Sequence, residues 1–158
     1  MKKILTHIDK KGNAKIVNIS TKKITQRKAI AFGIIKVSSD VISIIKSDSN
    51  KKGDVLNVSK IAGIMAAKNT SSLIPLCHQI TLENIDLDFK IDTKKNQINV
   101  TATVECFGKT GVEMESLTAV SVSLLTIYDM CKAIDKSMEI KEIYLLNKAG
   151  GKEDFTKS

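Results

Sequence analysis

Apolar and polar residues alternate over Ile85, Leu87, Phe89 and Ile91, the pattern of a half-buried strand. After the turn-forming stretch DTKKNQ the same alternation returns at Ile98, Val100, Ala102, Val104 and Cys106, so the two segments read as a β-hairpin. Upstream, RKAIAFGIIKV (27–37) is strand-like, with Ile30, Phe32 and Ile34 on one face and Ala31, Gly33 and Ile35 on the other. SSDVISIIKS (38–47) suits a short helix capped by Ser38 or Ser39. In VLNVSKIAGIMAAKNT (55–70), Val58, Ile61, Ile64 or Met65, and Lys68 recur at helical spacing. LIPLCHQ (73–79) carries Pro75, the only proline, and must be extended or turned there. A helix starting at Thr110–Gly111 runs to about Lys136, and EIYLLNK (142–148) closes the pattern as a strand.

From residue 28 the order is β-α-α-β-β-α-β, which predicts an α+β, ferredoxin-like split βαβ fold: an antiparallel sheet with helices packed on one face. At 158 residues a single domain is expected. The segments 1–26 and 149–158 are expected to be partly flexible arms. KSDSNKKGD (46–54), the most polar stretch, is expected to be an exposed loop.

The long helix poses a chemical question. Between Leu117 and Ile134 the only charged residues are Asp129 and Lys132. A helix over 112–136 would be about 37 Å long, more than its own sheet needs, so packing against a second subunit is the preferred explanation. Asp129, Lys132 and Lys136 share one stripe, which continues upstream through Leu125, Val122 and Thr118. That leaves three readings of the pair: a solvent-facing salt-bridge stripe, an interfacial ion pair, or an acid/base pair at the edge of a desolvated crevice.

Composition narrows the classes. Net charge is +8, which permits an anionic partner, although the lysines are spread along the whole chain. Arg27 is the only arginine and can grip a phosphate or carboxylate in the planar, two-pronged way that lysine cannot. Cys77, Cys106 and Cys131 are too scattered for a disulfide framework or a zinc site. MKKILTHIDKKG has too short an apolar run for a signal peptide, and the uncharged stretch 116–128 is too short to span a bilayer. A cytoplasmic protein with no membrane partner is therefore expected.

Other candidates are weaker. Cys77 and His78 are neighbours on an extended chain, so their side chains diverge and they do not form a nucleophilic dyad by themselves. His7 has no chemical context. Glu113 and Glu115 in GKTGVEME suit the start of a helix. Glu115 precedes Asp129 by about 21 Å of helix, so only two antiparallel copies could bring both to one reacting atom. KAGGK (148–152) could wrap a phosphate with backbone N–H groups but lacks P-loop spacing. A basic ferredoxin-like RNA-binding module is the alternative class. It would need stacking aromatics on the sheet, and only Phe89 and Phe107 lie in or beside the hairpin.

The strings KGDVLNVSKIAGIMAAKNTSSLIPLCH, GKTGVEMESLTAVSVSLLTIYDMCKAID and LLNKAGGK closely resemble the molybdenum cofactor biosynthesis protein C family, the cyclic pyranopterin monophosphate synthases. The likeness runs from LTHIDKKGNAKIVNIS to GGKEDF. It implies conversion of (8S)-3′,8-cyclo-7,8-dihydro-GTP to cyclic pyranopterin monophosphate with loss of pyrophosphate, a lyase step of molybdopterin synthesis. It also implies a ferredoxin-like homohexamer, a trimer of dimers with interfacial sites, and no nucleic-acid partner. No redox cofactor is implied, and no metal site is predicted. By motif, Asp129 and Lys132 match the family's catalytic aspartate and lysine, and Lys52 another essential lysine. Leu76, Cys77, His78, Met114 and Glu115 match substrate-binding segments; Glu113, Arg27 and Lys148 match further polar groups of the site.

Overall fold

The computed structural model describes residues 5–47 and 54–157. The expected polar loop and Lys52 lie largely or wholly outside them. Five strands form one antiparallel sheet: β1 (Thr25–Lys36), β2 (Asn84–Asp92), β3 (Gln97–Gly108), β4 (Glu139–Ala149) and β5 (Phe155–Thr156), in the order β2-β3-β1-β4-β5. Four helices accompany it: α1 (Ser39–Lys46), α2 (Val55–Lys68), α3 (Thr70–Leu73) and α4 (Glu113–Cys131). α4 lies across β1, β3 and β4, while α2 packs on α4 and β2. The split βαβ order is as expected; α3 and the two-residue β5 were not anticipated.

Period-two alternation sets the helix-facing side. Ala31 pairs with Ala102 and Ile35 with Ile98 across β1 and β3, and all four are fully buried. Val120, Leu124 and Ile127 of α4 close the core above them. A second, smaller cluster of Ala29, Val104, Cys106 and Val112 lies under the start of α4.

Helix α2 forms where its spacing predicts, yet the stripe Val58, Ile61 and Met65 faces outward. Its inner face is made of small residues: Ser59, Gly63, Ala66 and Ala67. A Cβ at Gly63 would come 2.7 Å from Leu87 Cδ2 and 3.0 Å from the Ala119 carbonyl oxygen, so only glycine admits α4 this closely. Ser123 Oγ donates to the Ser59 carbonyl across the contact at 3.0 Å.

α4 is shorter than the sequence pattern suggests. It ends at Cys131 with Lys132 as its C-cap, giving about 28 Å of helix rather than 37 Å. The physical cause is Asp135. Its carboxylate accepts from the Ser38 backbone N–H at 2.9 Å and from the Ser137 backbone and hydroxyl. These bonds, reaching back to the β1–α1 junction, turn the chain away from the helix axis. The same bonds hold the Asp135 carboxyl below its ordinary range.

Candidate active site

The sheet extends past α4 at one end, and that end is polar. Arg27 sits opposite Cys106 in register, on the helix-facing side just beyond Ala29, where the first turn of α4 begins. Its Nε donates to the Gly108 carbonyl at 3.2 Å, which fixes the guanidinium against the β3 terminus. Gly150 (φ +83°) turns β4 back over Gln26, where a side chain would collide with the Gln26 carbonyl. The Gly150 N–H donates to Asp154 Oδ1 at 3.0 Å and its carbonyl accepts from Thr25 Oγ1 at 2.8 Å. This glycine turn therefore spends its Gly150 amide and carbonyl on its own chain.

Basic side chains line a cleft of about 510 Å³ that holds Arg27, Lys148, Lys152, Lys109 and Lys22. Lys148 Nζ reaches Glu113 Oε1 at 3.3 Å, so one acid partly offsets the positive charge. Glu113 also borders a second cavity of about 390 Å³, where Leu76, Cys77, His78, Met114 and Glu115 meet. Thr110, Gly111 and Lys22 border both, so the two cavities adjoin. The turn at Pro75, closed by Cys77 N–H to the Ile74 carbonyl at 3.0 Å, carries Leu76–His78 to the start of α4.

The electrostatics of the second cavity are set by burial. Glu115 is 4% exposed, and desolvation pushes its carboxyl pKa up, with the nearby Glu113 charge adding to it. Burial also raises the Cys77 thiol, and Glu115 raises it further. Both effects oppose a thiolate, so Cys77 lines the cavity without being activated as a nucleophile. His78 Nε2 lies 2.7 Å from the Val17 carbonyl, which can only accept, so this nitrogen carries the proton.

Asp129 and Lys132 do not join this cluster within one chain. They sit at the far end of α4, paired at 2.7 Å, with side chains 71% and 57% exposed. The hydrogen bond and charge of Asp129 raise the Lys132 pKa, which holds it as an ammonium. Sequence reasoning missed the N-terminal contribution to the site: Thr6, His7, Val17, Ile19 and Lys22 all border the second cavity. No periodicity marks that segment, and only the fold brings it here. Among the described residues, no three His, Cys, Asp or Glu side chains gather as a metal site, and no helix is long and apolar enough to cross a membrane. Phe89 packs on the helix side against the core, which leaves the exposed Phe107 as the one hairpin aromatic open to a base, short of the two or three that an RNA-stacking sheet uses.

Comparison with known proteins identifies the site's family. The MoaC family profile matches residues 16–151. The chain belongs to the MoaC family. A cyclic pyranopterin monophosphate synthase from Clostridium perfringens is 57% identical over 148 residues, covering 94% of each chain. One from Staphylococcus carnosus is 55% identical, covering 93% of this chain and 92% of its own. One from a Thermoanaerobacter species is 52% identical over 94% of each. This MoaC-family chain is accordingly an enzyme of molybdenum cofactor biosynthesis with cyclic pyranopterin monophosphate synthase activity.

Proposed function

We propose that the chain converts (8S)-3′,8-cyclo-7,8-dihydro-GTP to cyclic pyranopterin monophosphate and pyrophosphate at the paired cavities, in the cytoplasm. The observation that carries this reading is the junction itself: a lysine- and arginine-lined cleft opening onto a half-buried cavity with a buried carboxyl. A triphosphate tail matches the first, with Arg27 and Lys148 as its cations, and a purine-derived ring matches the second; Lys52, outside the described residues, is the further cation that the family likeness assigns. Met114 and Glu115 hold the guanine-derived end, and His78 the sugar or phosphate. Cyclisation needs a sugar hydroxyl to attack the α-phosphorus, losing its proton as pyrophosphate leaves with the bond's electrons.

Proton transfer falls to Asp129 and Lys132. Lys132, within 2.7 Å of Asp129, is the proposed proton donor, and the carboxylate is the complementary acceptor. The pair lies about 21 Å along the helix from Glu115, so the reading requires a second copy to bring its pair to this chain's cavity. The exposed Leu125 supports a helix face that meets another subunit. The assembly proposed is a hexamer, a trimer of dimers with each site shared between two chains.

Turnover of the cyclised nucleotide tests the reading. Asp129→Asn and Lys132→Ala should each lose roughly 10²–10⁴-fold in kcat; full activity in both would sink the assignment. Mixing inactive Lys52→Ala and Lys132→Ala chains should restore activity if the two lysines serve one site from opposite chains. Absence of any recovery in mixed oligomers argues against the shared site.

A further inference from the structure

Residues 5–24 cross the open side of the second cavity as a strap, and their conformation is built rather than incidental. Asp9 accepts from the Lys11 and Asn13 backbone N–H groups at 2.8 and 2.9 Å, closing a tight turn through Gly12 (φ +86°). Ile8 and Ala14 bridge across it, and Lys15 N–H donates to the His7 carbonyl at 2.9 Å. This small hairpin buries little: Leu5 is 77% exposed and Ile16 52%. Its hydrogen bonds therefore serve to place something, since they anchor no core.

What they place is His7. His7 borders the same cavity as His78, Met114 and Glu115. His7 Nδ1 lies 3.3 Å from the Lys15 carbonyl; a carbonyl only accepts, so Nδ1 carries the N–H. In the neutral ring Nε2 is then left as a hydrogen-bond acceptor. Two ties hold the rest of the strap to the body: His78 Nε2 to the Val17 carbonyl at 2.7 Å, and Lys109 Nζ to the Ser20 carbonyl at 2.8 Å. The first tie uses a side chain of the cavity wall itself, so strap position and cavity geometry are mechanically linked.

We propose that this strap forms one wall of the reaction site and that His7 is a further substrate contact, accepting a hydrogen bond from an N–H on the edge of the purine-derived ring. The inference rests on the reaction proposed above. It adds a residue from a segment that the cavity's other walls do not predict. Lys109 acts as a positioning residue through its tie to Ser20.

Steady-state turnover of the cyclised nucleotide by the full-length chain tests this, with His7→Ala, His7→Gln and Lys109→Met compared with wild type. Losing one hydrogen bond to substrate should lower kcat/KM roughly tenfold in His7→Ala, with unchanged Tm. The Gln amide oxygen can accept in place of Nε2, so His7→Gln should recover most of the loss. Lys109→Met removes both the tie to Ser20 and a cation of the first cleft, so it should raise KM. If wild type is active and His7→Ala stays within twofold of it, the inference falls and the reaction stands. Equal losses in His7→Ala and His7→Gln with lowered Tm also overturn it, since they mark a purely structural hairpin. An inactive wild type overturns the proposed reaction, and this inference with it.

Discussion

Glu115 shows how one buried side chain couples stability to the chemistry of the site. It lies in the first turn of α4, where the helix dipole favours an acid, yet burial outweighs this and raises its pKa. A carboxyl raised above its unfolded value binds its proton more tightly in the folded state. Its contribution is fully present below the ordinary glutamate value of 4.5 and is lost as pH rises through the folded pKa. Glu115→Gln should therefore raise Tm at neutral pH, with the gain shrinking as pH falls through the folded pKa and gone once the solution reaches 4.5. Thermal melts across that range decide it; a gain that grows on acidification would contradict the burial argument. The substitution should also reduce turnover, because stability given up at a functional group is recovered when the group is neutralised.

Among elements, α2 and α4 carry the least forgiving contact. Their backbones meet at Gly63 and Ala119, with Ser59 and Ser123 sealing the contact by a hydrogen bond. Gly63→Ala gains helix propensity but forces Leu87 or the helix pair apart, and overpacking of this kind costs about 1–3 kcal/mol. Urea unfolding should show a lowered midpoint with an unchanged slope; a stabilised variant would mean that the helices can separate freely. The strands were legible in advance because their alternation is local, and β3 buries the residues that the pattern selects; which face of β1 is buried, Ala31 and Ile35 rather than Ile30 and Ile34, came only from the fold. The packing face of α2 was not legible. Its largest residues point outward, and its inner face is small because of how near another helix lies. The end of α4 was equally hidden, since Asp135 meets Ser38 across 97 positions of sequence.

At the scale of the whole molecule, one chain carries two halves of the proposed site at opposite ends of α4. Exposed Leu125 lies between them, one turn before Asp129 on the same stripe. Leu125→Asp should reduce the assembled mass seen by light scattering and lower turnover together, since a charge desolvated in an interface is costly. Dissociation without loss of activity would separate assembly from catalysis.

The amino-acid sequence by itself determined the order of the four long strands and three longer helices and the family, because alternation, helical spacing and long motif strings are properties of neighbouring residues. It also singled out Arg27, Leu76–His78, Glu113–Glu115 and Lys148, which border the adjoining cavities, and Asp129 and Lys132, which lie at the other end of α4. Only the tertiary structure decided which groups are buried, where α4 stops, and that the N-terminal segment walls the site. His7 is the clearest case. Nothing adjacent to it in sequence suggests a role, and its place on the cavity that Glu115 also borders follows from hydrogen bonds to Lys15, His78 and Lys109 made along the strap. Such contacts join residues far apart in the chain, and no local pattern encodes them.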